Sequence, residues 1–210
     1  MNKFKTPVPA IALGVTCMVL SGCSILAPRP DPSQFFVLTP SSQMATGETD
    51  GNLEGISLGL GPINFPAYLK RSQMVTRIGP NRVEFSETNR WAEPLETNFA
   101  HVLARNLKVL LETDEVAIYP WISSTRLDYE VKIDVLRFER DSEGNAELSA
   151  RWTVKDGEAN QLLTTRHSDL RQPAESSGID GSVAALSRTA EDLSRDIADA
   201  LRQLNEKREL

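Results

Sequence analysis

The chain has 210 residues, 40% of them hydrophobic, and a formal net charge of −6. A chain of this length is expected to form one domain with a core of its own. The acidic balance argues against nucleic-acid binding and against a broad cationic surface for lipid headgroups, which favours protein or apolar partners.

The N-terminus has the layout of a secretory signal peptide. Two lysines within the first five residues precede an apolar stretch at 8–20, which Ser21, Gly22 and Cys23 follow. This stretch of about 13 residues is shorter than the roughly 20 residues that a transmembrane helix needs. The small residues before Cys23 predict a lipoprotein: residues 1–22 form the signal peptide, and Cys23 carries N-acyl and S-diacylglyceryl groups after cleavage.

Cleavage leaves a mature chain without cysteines other than Cys23, and therefore without an intramolecular disulfide. Two or more acyl chains anchor a protein stably in a bilayer. Ser24 stands where an Asp commonly retains lipoproteins at the inner membrane, so we expect outer-membrane residence on the periplasmic face. Residues 23–33 contain three prolines and predict a stiff tether, and 34–210 predict a single domain. The mature chain has 21 basic and 29 acidic residues, a net charge of about −8.

Hydrophobic periodicity predicts an α+β fold, a mostly antiparallel sheet with two main helices packed on one face. In chain order, the predicted elements are strands at 35–38 and 56–63, a hairpin at 74–85, a helix from Pro94 to about Leu110, and strands at 116–119, 127–138, 146–154 and 162–170. The alternation of apolar residues changes phase near Val135-Leu136, which predicts a β-bulge there. A last helix from about Gly181 has one apolar stripe, which favours packing on the sheet; docking on a partner is the alternative.

No catalytic or metal motif is found in the sequence. His101 and His167 are the only histidines, and neither has a second ligand at metal-binding spacing. Phosphate loops, nucleophile elbows and zinc-protease motifs are absent from the sequence. We therefore expect no cofactor, no metal and no enzymatic activity, although two carboxylates could still meet in three dimensions.

The segment 59–95 combines large apolar groups with arginines in stretches that look like loops, a composition typical of interface anchors. The candidate partner-binding residues are Tyr68, Arg77, Arg90, Trp91 and Glu93. The alternative is that Tyr68 and Trp91 plug the ends of the core.

The same segment carries a family resemblance. The runs GPINFPAYLKRSQMVTR, NRVEF and NRWAEPLETNFAHVLARNL resemble the ABC-type transport auxiliary lipoprotein family, also described as PqiC-like. The chain keeps Pro66, Tyr68, Leu69, Gln73, Val75, Arg77 and the run Arg90-Trp91-Ala92-Glu93-Pro94-Leu95. The early strand Phe35-Phe36-Val37-Leu38 is similar to the family's Tyr-Tyr-x-Leu, with Phe in place of Tyr.

The resemblance implies a periplasmic lipoprotein that works with an MCE-domain (PqiB-like) protein in phospholipid movement between the two membranes, in support of envelope integrity. MCE proteins form rings, so a homo-oligomer around the same axis is expected. Two other hypotheses remain: a lipid or small-ligand binder with an apolar pocket between the sheet and the last helix, and a cryptic periplasmic hydrolase.

Overall fold

The computed structural model describes residues 31–41, 55–122 and 125–208, and its elements follow the predicted order. Cys23, the predicted signal peptide and most of the predicted tether lie outside the described residues. The residues from Ser33 onward form one compact unit. Its elements are β1 (Gln34–Phe36), β2 (Leu58–Asn64), a 3-10 helix (Ala67–Leu69), β3 (Gln73–Gly79), β4 (Arg82–Trp91), α1 (Leu95–Leu111), β5 (Val116–Ile118), β6 (Tyr129–Asp141), β7 (Ala146–Asp156), β8 (Leu162–Gln172) and α2 (Ile179–Arg208).

The long strand β6 is the centre of the sheet. β7 pairs with one of its edges and β8 with β7, both antiparallel. The other edge of β6 is shared, because β2 pairs with its first half and β3 with its end, both in parallel. β4 pairs antiparallel with β3, while β1 and β5 add short parallel pairings to β4 and β2. The α+β class is confirmed and the longest ladders are antiparallel; the short parallel pairings are a feature that the periodicity did not predict.

The two faces of the sheet differ in polarity because apolar and polar residues alternate along its strands. Val131 and Ile133 of β6 are fully buried beside Val154 and Trp152 of β7, on the face that α1 and α2 cover. The ladder between β6 and β7 shifts register between Val135 and Arg137, with an exposed residue between them. The predicted bulge is therefore confirmed, and it keeps the later apolar residues of β6 on the covered face.

The helix α1 begins directly after Pro94, whose carbonyl oxygen accepts hydrogen bonds from the backbone of the first turn. It ends at Leu111, and the next residue, Glu112, adopts the left-handed conformation and caps the helix. The carbonyl of Leu110 accepts a hydrogen bond from the buried Arg202 of α2 at 2.5 Å, so a cation of one helix caps the negative end of the other. Phe99 packs edge-on against Phe65 and Phe138 in the core below the helix.

Two asparagines on the covered side of α1 hold the chain that follows β1. The Oδ1 atom of Asn98 accepts a hydrogen bond from the backbone of Leu38 at 2.6 Å, and that of Asn106 accepts one from Ser41 at 3.2 Å. Asn106 also donates to Ser194 of α2 at 3.3 Å. The buried amide of Asn106 lies among the apolar residues of α1, and its hydrogen bonds are supplied in part by the backbone of a segment without secondary structure.

The predicted end of the second strand of the hairpin was wrong. β4 extends to Trp91, so the stretch around Arg90 that was expected to be a loop is a strand paired with β1. The helix α2 begins at Ile179, within two residues of the predicted start, and runs for 30 residues. Its apolar stripe, which includes Leu186, Leu193 and Ile197, is buried against α1 and the last three strands, as the packing interpretation predicted.

Candidate functional site

A buried ionic cluster lies where the 3-10 helix crosses the sheet. Glu139 of β6 stands on the face that the helices leave open, yet its side chain has no exposed surface. The hydroxyl of Tyr68 donates a hydrogen bond to Glu139 Oε2 at 2.7 Å, and the Nε of Arg77 donates to Oε1. Arg77 also donates to the carbonyl of Pro80 at 3.2 Å. The carboxylate therefore has a partner on each oxygen, which a buried charge requires.

The cluster raises the pKa values of two of its members, Tyr68 and Arg77. Burial and the neighbouring Glu139 carboxylate raise the pKa of Tyr68 to about 12, so the phenol remains a hydrogen-bond donor at neutral pH. Burial acts to lower the pKa of Arg77, but the ion pair with Glu139 outweighs it and the pKa is raised. The cluster is a fixed ion pair with a neutral donor, an arrangement that holds the 3-10 helix against β3 and β6.

A groove of about 300 Å³ opens between the segment 65–72 and the start of α1. Phe65, Leu69 and Trp91 give it an apolar floor, and Trp91 is only 6% exposed. Its rim is charged, because Lys70 of the segment 65–72 and Glu96 of α1 form an ion pair at 3.2 Å. The groove has the composition of a small recognition pocket, with an apolar base and a few charged groups at its mouth. Its remaining lining residues are Arg71, Ser72, Ala92, Glu93, Pro94 and Leu95.

Arg90 lies on the other side of β4 from Trp91, because neighbouring residues of a strand point to opposite faces. It is paired with Phe35 of β1 and with Gln73 of β3. Its Nε atom is buried and makes no hydrogen bond with any described residue. This arginine is therefore positioned by the backbone and not by a carboxylate.

The structure brings the five candidate partner-binding residues together in two groups and leaves one apart. Tyr68 and Arg77 meet at the buried cluster, where both bind Glu139. Trp91 and Glu93 line the groove, with Trp91 as part of the core. Arg90 lies on the open face, opposite to Trp91, and makes no contact of this kind with either group. Contact of these residues with a partner remains a prediction.

The two histidines are separate. His101 is exposed on α1, and His167 is exposed on β8 opposite Arg151 of β7. Among the residues described, no group of three or more His, Cys, Asp or Glu side chains has a metal-binding arrangement.

Comparison with family models decides the family. The model described as "ABC-type transport auxiliary lipoprotein component" matches residues 36–198, from the end of β1 into α2. The chain belongs to this family. As a family member it is an auxiliary lipoprotein component of an ABC-type transport system. In the described ranges, no helix is both long and apolar enough to cross a membrane.

Solved structures share the fold of this auxiliary lipoprotein. A crystal structure of an uncharacterized protein has a TM-score of 0.66 at 18% identity, covering 80% of this chain and 98% of its own. A crystal structure of a Xanthomonas campestris protein has a TM-score of 0.66 at 15% identity, covering 84% of this chain and 99% of its own. At these identities the similarity concerns the fold alone. A comparison with curated protein sequences gave no significant match.

The sequence analysis missed Glu139, the residue that joins Tyr68 to Arg77. Glu139 falls on a polar position of β6, where the strand pattern indicates a solvated side chain. The segment that covers it lies about seventy residues earlier in the chain. Nothing in the local pattern around Glu139 signals that cover.

Proposed function

We propose that this family member is an outer-membrane-anchored periplasmic lipoprotein and a non-enzymatic auxiliary component of an MCE-type system that moves phospholipid between the two membranes. The observation that carries the proposal is the family match over 36–198, which includes the ionic cluster, the groove, α1 and the first part of α2. The lipoprotein motif ending in Cys23 supplies the anchor, and Ser24 favours the outer membrane.

The groove at Trp91 and Glu93 is the proposed docking site for the MCE-domain partner. Hot spots in protein interfaces centre on aromatic residues in desolvated pockets, surrounded by a polar rim. Trp91 is held by β4 and the core, so it presents a rigid surface that loses little entropy when a partner binds. The ionic cluster of Tyr68, Arg77 and Glu139 fixes the segment that forms one wall of the groove.

A homo-oligomer follows from the proposed partner. MCE-domain proteins are rings, and a symmetric ring offers the same docking surface several times around its axis. A ring of auxiliary lipoproteins would engage all those surfaces together, which raises the overall affinity without new contacts.

The proposal contains no catalytic step. Two carboxylates of the site are engaged in structural ion pairs, Glu139 with Arg77 and Glu96 with Lys70. What the site offers a partner is shape, an apolar floor and charges at the rim.

Co-purification tests the proposal. The tagged, lipidated protein should recover an MCE-domain protein from solubilised envelopes, and Glu93→Arg at the groove should lower the recovery. Glu158→Arg, in an exposed turn beyond β7, is the matched control and should leave the recovery unchanged. Recovery of no MCE-domain protein, together with unchanged envelope permeability after gene deletion, would contradict the proposal.

The ligand-binder hypothesis fits the described structure less well. The void between the sheet and α2, lined by Met74, Phe138 and Leu186 among others, measures about 10 Å³. That volume is about the minimum that holds one water molecule. An acyl chain therefore has no space there unless α2 moves away from the sheet. Native mass spectrometry that shows bound phospholipid would favour the ligand-binder hypothesis.

A further inference from the structure

Exposed apolar side chains occur at the β1 edge of the sheet. Phe36 and Leu38 point to the core. Because side chains alternate along an extended chain, Phe35 and Val37 point away from the core. Phe35 is 63% exposed and Val37 is also exposed. β1 is the last strand at this end of the described sheet.

Phe85 of β4 adds a second exposed ring to the same face. It pairs with Val75 of β3, two residues before Arg77, whose side chain reaches Glu139 on the face opposite the helices. Phe85 therefore also lies on that open face, as Phe35 does. The guanidinium of Arg71 lies 4.9 Å from the centre of the Phe85 ring, a cation–π contact that leaves its N–H groups free to bind an acceptor.

The local charge is opposite to that of the whole chain. The segment 70–91 has five basic and two acidic residues in a protein of net charge −6. Neither Arg71 nor Arg90 forms an ion pair with any described residue, and the buried Nε of Arg90 lacks an acceptor. We call Phe35, Val37, Arg71, Phe85 and Arg90 the β1 patch.

At the β8 end of the same open face, the arginines are paired with carboxylates. Arg151 lies 3.4 Å from Asp134, and Arg171 lies 2.6 Å from Asp141. An exposed apolar residue also occurs there, Leu162, at 56% exposure, but without an unpaired arginine beside it. Among the described residues, the β8 end of this face therefore lacks the combination of exposed rings and unpaired arginines that the β1 patch has.

We propose that the β1 patch rests on the phospholipid headgroups of the bilayer that holds the lipid anchor. The inference rests on the proposed lipidation of Cys23. Ten residues lie between Cys23 and the start of β1, and the eleven residue steps give a reach of roughly 34 Å in an extended proline-rich chain. The patch is thus the part of the sheet nearest to the anchor along the chain.

The chemistry of the patch fits a phospholipid surface. Guanidinium groups bind phosphate oxygens in bidentate fashion, and rings beside them can enter the interfacial layer. Basic residues near an anionic leaflet are attracted by its negative surface potential. These contacts would fix the orientation of the domain on the membrane, so that the groove at Trp91 and Glu93 is presented to the partner in one direction.

Fluorescence quenching in vesicles tests the orientation. The lipidated mature chain has no free thiol, so Val37→Cys introduces a single labelling site within the patch and keeps both rings. Leu162→Cys, on the same face at the β8 edge, is the matched control. Both proteins would carry an environment-sensitive fluorophore and be reconstituted in phosphatidylethanolamine–phosphatidylglycerol vesicles with a spin label on the lipid headgroups.

The β1 patch predicts loss of most of the fluorescence at position 37 and little loss at position 162. Arg71→Gln should reduce the quenching at position 37, and Arg151→Gln, an exposed arginine of the β8 end, should leave it unchanged. Equal quenching at the two positions, on a protein whose Cys23 is shown by mass spectrometry to carry lipid, would overturn this inference alone.

Two further outcomes are decisive. A label at position 37 that is shielded from a soluble quencher but not quenched by the lipid would mean that protein covers the patch, and would overturn the inference. An unlipidated Cys23 would overturn it together with the proposed anchoring.

Discussion

Removing the cation of the buried cluster should destabilise the domain more than any loss of a surface ion pair. In Arg77→Met the Glu139 carboxylate keeps its burial and the hydroxyl of Tyr68 but loses its counter-ion. Breaking a buried ion pair in this way costs about 3–5 kcal/mol. For a domain of this size, each kcal/mol lowers the unfolding temperature by roughly 2–4 °C, so the expected shift is about 6–20 °C.

The double variant Arg77→Met with Glu139→Leu separates the ion pair from packing. It removes the charge together with its partner, so most of the lost stability should return, apart from about 1 kcal/mol for the unpaired Tyr68 hydroxyl. Arg171→Met, which breaks an exposed ion pair with Asp141, should cost less than about 1 kcal/mol. Thermal and urea unfolding measure all three. A double variant as unstable as Arg77→Met would refute the reasoning, because the loss would then come from packing and not from an unpaired charge.

Three further predictions concern the same fold. The raised pKa of Tyr68 stabilises the folded state fully below pH 10 and progressively less between about pH 10 and 12, so Tyr68→Phe should flatten the alkaline fall in unfolding free energy over that interval. Gly157→Ala should be strongly destabilising, because its Cβ would lie 2.0 Å from the carbonyl oxygen of Leu127, whereas Gly79→Ala meets nothing closer than 3.9 Å and should be nearly neutral in urea unfolding. Phe99→Ala, which removes the central ring of the buried aromatic cluster, should lower the unfolding free energy by about 3–5 kcal/mol in the same assay.

The elements that could be predicted from sequence are those with a complete local pattern. The alternation in β6 and β7 and the stripes of α1 and α2 depend on which residues face the core, and the structure buries those residues. The bulge near Val135 is also predictable, because the alternation of apolar residues changes phase there and one extra residue in the strand accommodates the change. These features are decided within a dozen neighbouring residues.

The remaining features depend on distant segments. β1 and β5 have three residues each and gain their place only by pairing with β4 and β2. β2 and β3 pair with the same edge of β6, and the segment 65–72 connects them. The sequence pattern of this segment does not show against which strands it packs. Non-local pairings of this kind leave no periodic trace in either segment.

The candidate site was predictable by residue type and not by role. The structure divides the predicted site residues into two groups and leaves Arg90 apart. Their tasks differ: Arg77 neutralises a buried carboxylate, whereas Arg90 has no described carboxylate to bind. The sequence shows both as arginines beside apolar groups. Only the position of Glu139 in the structure distinguishes the role of Arg77 from that of Arg90. The whole-chain charge was equally uninformative about the β1 patch, because an acidic total concealed a basic segment at 70–91.

The central claim is that an MCE-domain partner docks at the groove of Trp91 and Glu93, and site-specific photo-crosslinking in cells tests it most directly. A photoreactive amino acid in place of Glu93 should form a crosslink to an MCE-domain protein identified by mass spectrometry, and the same group in place of Glu158 should form none. A crosslink at both positions, or at neither in cells that express the partner, would contradict the account.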